Sequence, residues 1–199
     1  MTAKTHLVIG MAAAMTVLVP GTTATVIPVI AGSALGSLIC DLDCRAEPAV
    51  MDAFFGRLIA AGIIGLTVFM DLVLGSRIWA SLLNPGRQGQ IIGLLLFLLV
   101  CVFVRYSPHR GFSHSLLALA LEAAVLRLVM KEAVPAFSIA YVSHLLLDIL
   151  NKRPVRILFP LKKGFRLGWF YVNRRADKTL LFLGAVWLTA ISVYCAGAW

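Results

Sequence analysis

Charge is what this chain has least of. Of its 199 residues only 14% are charged, nine of them acidic, and it has four histidines. With 60% hydrophobic residues, so little charge excludes an ordinary soluble domain. The four cysteines, Cys40, Cys44, Cys101 and Cys195, follow no spacing that implies a disulfide framework. Alternating apolar and polar strands do not recur, which excludes a membrane β-barrel. Neither an arginine-rich arm nor zinc-finger spacing is present, so nucleic acid is not an expected partner.

What is present is apolar sequence in runs of helical, and in several windows transmembrane, length. The expected fold is all-α. It is a polytopic membrane bundle of about six to seven helices, one domain over residues 1–199, with a small basic loop or hairpin on the cytoplasmic side. Lys4, the run Leu7 to Val19 and Thr22-Thr23-Ala24 imitate a secretory signal peptide. A second apolar run follows almost without a gap, so the first is read as a retained span. Being short, it must tilt, re-enter or be covered by neighbours. Pro20-Gly21 breaks it, and Thr22 or Thr23 starts a second helix reaching about Cys40. Further spans run from about Phe54 to Leu74, Gln90 to Val104, Leu116 to Met130, a helix begun by Pro135, and Leu180 to Tyr194.

Polar residues inside such a chain need a reason. His144 and Asp148 stand four apart in an apolar helical run, so both project from one face. A divalent metal would satisfy both; a hydrogen bond joining two helices is the alternative. The second helix ends in Cys40-Asp41-Leu42-Asp43-Cys44. Acids at a helix C-terminus oppose its dipole, so ligation by the aspartates is a better reading than capping. Cys40 and Cys44 flank those aspartates, and ligation by them is the lesser reading, whereas Cys101 and Cys195 sit in apolar runs as small core residues. The loop Arg105-Tyr-Ser-Pro-His109-Arg110-Gly111-Phe-Ser-His114-Ser115 presents two histidines and an arginine where a helix starts, a setting that suits an anion. Glu122 shares the face of His114, deeper along the helix, as a supporting acid or a helix–helix partner.

Residues 151–178 mix Lys and Arg with aromatic residues, a membrane-interface pattern or a plain topology signal. Val155–Phe159 and Phe165–Tyr171 are compatible with a β-hairpin around Lys162-Lys163-Gly164. Threading the spans with this loop inside puts all Lys and Arg on the cytoplasmic side except Arg77, Arg87, Arg127 and Lys131. His6, Asp41, Asp43, His109, His114, His144 and Asp148 fall on that same side, every histidine among them. A buried metal site at the cytoplasmic face is the reading that unites them.

The early His6, the Asp-Leu-Asp ending a second helix, His-Arg-Gly-Phe-Ser-His-Ser and Ser-His-x3-Asp together resemble the YdjM-type family of bacterial inner-membrane metal-dependent hydrolases. That family is in turn distantly similar to zinc-dependent phospholipase C and P1-type nucleases. The resemblance implies His6, Asp43, His109, His114, His144 and Asp148 as metal ligands, and Asp177 as a late ligand or base. It also implies a divalent cofactor, Zn²⁺ first and Mn²⁺ second, and a place in the bacterial inner membrane among lipids. The family pattern Pro-Asp-Ile/Leu-Asp-His departs here at Cys40 and Cys44; a thiolate ligand would favour a soft metal such as zinc.

The expected function is hydrolysis of a phosphoester or phospholipid-type substrate by metal-activated water. Arg110, Gly111 and Ser115 would contact the substrate, with Arg110 stabilising developing charge. Asp41 or Asp177 would act as general base. The competing readings are a metal or ion transporter, and a non-catalytic protein stapled by a structural metal or polar cluster.

Overall fold

The computed structural model describes residues 1–43, 58, 62, 65–66, 68–73, 88–169 and 175–197. Among them are the α-helices α1 (Ala3–Leu18), α2 (Thr23–Leu38), α3 (Gln88–Tyr106), α4 (Leu116–Val129), α5 (Val134–Ile149) and α6 (Arg175–Gly197). Residues 68–73 belong to a further helix. Cys44 and most of the span expected over 54–74 lie outside the described residues.

The helix ends follow local chemistry. Val19 ends α1 in the left-handed region, and Pro20-Gly21 then prevents its continuation. Thr22 starts α2 in a capping box with Thr25. Ser115 caps α4 by accepting the Ala118 N–H at 3.1 Å. Pro135 lies in the first turn of α5, where its missing N–H costs nothing. The C-terminal end of α2 tightens into a 3₁₀ turn, Ile39–Asp43, that holds both aspartates. The last helix begins earlier than expected, at Arg175, so Asp177 sits in its first turn, where the helix dipole favours an acid.

Among the described residues, four segments are long and apolar enough to cross a membrane: Thr23–Asp43, Gly89–Tyr106, Lys131–Ile149 and Arg175–Gly197. The 16-residue α1 is shorter and is covered by neighbours, packing against α2, α5 and α6. The α2–α5 contact is close because Gly32 and Gly36 face it. A Cβ on Gly36 would collide with the Phe137 carbonyl oxygen. By contrast α3 and α6 leave large apolar side chains outward, among them Leu95, Leu99, Phe182 and Val193, as lipid-facing helices do.

Phe170 and Tyr171 of the expected hairpin lie outside the described residues, and Val155 and Phe165 form an isolated antiparallel bridge rather than strands. Between them the chain turns twice, with the Phe159 N–H on the Arg156 carbonyl and the Leu161 N–H on the Leu158 carbonyl, so no ladder extends. Residues 151–169 instead form a strap. Its Leu167 and Trp169 N–H groups donate to the carbonyls of Ile149 and Leu150 at the end of α5.

Candidate metal centre

Six helix ends converge at one end of the bundle. The start of α1 brings His6, the 3₁₀ turn after α2 brings Asp41 and Asp43, and the α3–α4 loop brings His109, Arg110 and His114. The last turns of α5 bring His144 and Asp148, and the start of α6 brings Asp177. Three groups of these side chains could each hold an ion, with ligand atoms within 4.8 Å of one another. They are His6, His144 and Asp148; Asp41, His114 and His144; and Asp43, His109 and His114.

The hydrogen bonds decide which nitrogen each imidazole turns inward. His144 Nδ1 lies 2.7 Å from the Ser37 carbonyl in the last turn of α2. A carbonyl only accepts, so Nδ1 carries the proton and Nε2 keeps its lone pair. At His114, Ser113 Oγ donates to Asp43 Oδ2 and therefore accepts from His114 Nδ1 at 2.9 Å. Again Nε2 is the free atom. The Nε2 atoms of His114 and His144 are buried and have no hydrogen-bond partner.

The distances around those nitrogens suit an ion. His114 Nε2 and His144 Nε2 each lie 3.9 Å from Asp41 Oδ1. His114 Nε2 lies 3.5 Å from Asp148 Oδ2, and His6 Nε2 lies 3.4 Å from Asp148 Oδ1. Two ligands bound tetrahedrally to zinc stand about 3.4 Å apart, given bonds of about 2.0–2.1 Å. The donor set, imidazole and carboxylate, is that of a borderline divalent metal. Burial would lower the pKa of His114, but the carboxylates of Asp148, Asp43 and Asp41 outweigh it and hold it above the ordinary imidazole value.

Asp43 stands differently from Asp41. Its oxygens accept from His109 Nδ1 at 2.6 Å, from Ser113 Oγ and from the Arg110 backbone N–H at 3.3 Å. These bonds shape the loop and orient His114, a carboxylate–histidine arrangement common at metal sites. Asp41, expected as a base, stands 3.9 Å from both His114 and His144, and Asp43, expected as a ligand, forms with His109 and His114 the third group that could hold an ion. His109 has a side chain 34% exposed and lies at the rim.

The expected substrate contacts are also rearranged. Arg110 bonds Asp148 Oδ2 through Nη2 at 2.9 Å and the Arg153 carbonyl through Nη1 at 2.6 Å. Its Nε is buried without an acceptor. The Ser115 hydroxyl is consumed: it caps α4 and donates to the Phe112 carbonyl. The Gly111 N–H closes the turn on the Pro108 carbonyl, and the Leu116 N–H donates to Ile157 of the strap. Those donors are spent, so Gly111 and Ser115 serve the backbone rather than an anion at the helix N-terminus.

Asp177 accepts from Thr5 Oγ1 at 2.8 Å and from the Thr2 N–H, tying α6 to α1. It belongs to none of the three groups, and neither do the buried Glu122 and Cys40. Tyr141, one turn before His144, was given no role by sequence; its hydroxyl donates to the Ser113 carbonyl at 2.5 Å. Its i−3 spacing from His144 was the available signal.

The sequence matches the YdjM inner membrane protein family over residues 1–199. The chain belongs to that family. No curated protein and no solved structure matches it. For this YdjM protein the match makes the apolar helices inner-membrane helices, and the convergent helix ends form one polar pole of a membrane bundle.

Proposed function

We propose that this YdjM protein is a membrane-embedded, metal-dependent hydrolase acting on phosphoesters of the phospholipid type at the cytoplasmic face. The observation that supports the reading most is the pair of buried Nε2 atoms, on His114 and His144, with no hydrogen-bond partner and a common carboxylate oxygen 3.9 Å away. Buried imidazole nitrogens are rarely left unsatisfied. Divalent metal bound among His6, Asp41, His114, His144 and Asp148 would satisfy them. Bound there, zinc or manganese would supply Lewis acidity and an acidified water at neutral pH.

The chain's own residues supply the rest. Arg110 carries a buried donor, Nε, for an anionic oxygen beside the cluster. Asp43 and Ser113 hold His114 in the tautomer that turns Nε2 inward. Over the same pole lies the strap, where Lys152, Arg153, Arg156, Lys162, Lys163 and Arg166 occur with no acid among residues 149–176. Its Leu158, Leu161, Leu167 and Trp169 are exposed. Cations mixed with exposed apolar side chains suit a phospholipid headgroup layer. That the polar groups gather at one pole, rather than at mid-depth on broken helices, disfavours a transport site.

The test is elemental analysis of the purified protein in detergent, followed by assay of the metal-loaded form against phospholipids and soluble phosphoesters. Bound zinc or manganese with turnover that is lost in Asp41→Ala and His144→Ala is expected. Retained metal with no hydrolysis of any phosphoester overturns the hydrolase reading.

A further inference from the structure

The two sides of the cluster do not converge on one point. His6 and His144 are stacked, their ring centroids 3.7 Å apart and their planes only 15° from parallel. An imidazole donates along a lone pair in its ring plane. One ion shared midway between these rings would lie about 1.8 Å out of each plane on bonds of only about 2.0–2.1 Å, which is poor donation from both. Side-by-side lone pairs instead address two points separated by about the stacking distance. That separation falls within the roughly 3.5–4 Å between metals of two-metal sites.

The Asp148 carboxylate divides in the same way. Its Oδ1 accepts from the Met1 ammonium at 3.2 Å and lies 3.4 Å from His6 Nε2, while its Oδ2 lies 3.5 Å from His114 Nε2. Asp41 Oδ1 stands equally far, 3.9 Å, from His114 Nε2 and His144 Nε2, on the Oδ2 side. His144 belongs to the Asp41 group as well as to the His6 group, so it can line the boundary between two ions.

We propose that the centre is dinuclear, with Asp148 as the bridging carboxylate. One ion takes His6 and Asp148 Oδ1; its neighbour takes Asp41, His114, His144 and Asp148 Oδ2. Two cations now on Asp148 would give way to the ions: the Met1 ammonium, 3.2 Å from Oδ1, and the Arg110 guanidinium, 2.9 Å from Oδ2. The released Arg110 donors would then be available to an anionic oxygen at the centre. The inference rests on the metal-centre reading above and is independent of whether the protein hydrolyses anything.

The experiment counts metal in the full-length protein and asks whether the ions are neighbours. Manganese-loaded wild type should hold two equivalents per chain and give the electron paramagnetic resonance spectrum of an exchange-coupled Mn(II) pair. His6→Ala should retain one equivalent and give the spectrum of isolated Mn(II). His6→Gln, closer in volume, should do the same, and thermal unfolding in detergent checks that both variants are folded. Two equivalents with no hydrolysis would sink the hydrolase reading and leave the dinuclear centre standing. A single equivalent in saturated wild type, or one lost entirely in folded His6→Ala, overturns the dinuclear centre alone. No bound metal in folded wild type overturns both.

Discussion

At the scale of the residue, the centre is governed by which atom of each side chain is already spoken for. His144 gives Nδ1–H to Ser37 and His114 gives Nδ1–H to Ser113, so each has only Nε2 left for an ion. In the metal-free protein His114 has a further option, a proton. Its pKa is raised in the folded state, so the stabilisation from protonated His114 is full below the ordinary value of 6.5 and fades as pH rises through the folded value. The gap in Tm between metal-free wild type and His114→Asn should therefore narrow from about pH 6 upwards. Metal affinity should move the opposite way, strengthening as pH rises, because only neutral imidazole binds. A pH-independent gap would show that His114 is not held protonated. Tyr141→Phe leaves the buried Ser113 carbonyl without its donor. It should cost about 1–3 kcal/mol in denaturant unfolding. It should also weaken metal binding by about 10–100-fold, since Ser113 orients His114. Retained metal affinity in a metal titration would remove Tyr141 from the support of the centre. Of these roles, only the inward-facing pair His144 and Asp148 was legible from spacing. Asp41 and Asp43 sit two apart in one 3₁₀ turn, and local sequence does not say which of them turns to the loop and which to the histidines.

At the scale of the element, helix ends do the positioning. Turn chemistry at Pro20-Gly21, Thr22, Ser115 and Pro135 was readable because capping and proline effects act within a few residues. The strap was not readable as such. Its partners, the Arg110 carbonyl and the ends of α4 and α5, lie far away in sequence, so an apparent hairpin forms no strands among the described residues. The α2–α5 contact links packing to the centre, since α2 supplies the Ser37 carbonyl to His144. Gly36→Ala forces α2 away from the Phe137 backbone and should destabilise the fold by about 1–3 kcal/mol, with weaker metal binding as its consequence. Gly21→Ala, which meets nothing within 4 Å, should be close to neutral in the same unfolding and metal-binding measurements. Equal behaviour of the two variants would mean that close helix approach is not what sets the His144 position.

At the scale of the whole molecule, the polar pole has to face one side of the inner membrane, and the distribution of Lys and Arg argues for the cytoplasm. In a cysteine-free background, Lys163→Cys on the strap should react with a membrane-impermeant maleimide in inverted vesicles and not in intact spheroplasts. The reverse pattern would put the centre outside. The sequence by itself determined the class of molecule: an apolar helical bundle with its histidines and most of its aspartates in one layer. Hydropathy, turn residues and charge bias act locally or through the bilayer, and a single chain displays them. Only the tertiary structure decided which side chains meet. It paired Arg110 with Asp148, stacked His6 on His144, set Asp43 against the loop and Asp41 beside His144, and closed the α4 N-terminus with Ser115 and the strap. The physical reason is that a hydrogen bond or a ligand distance depends on two elements at once. Residues 6 and 144, or 41 and 114, become neighbours only when separate helices have packed.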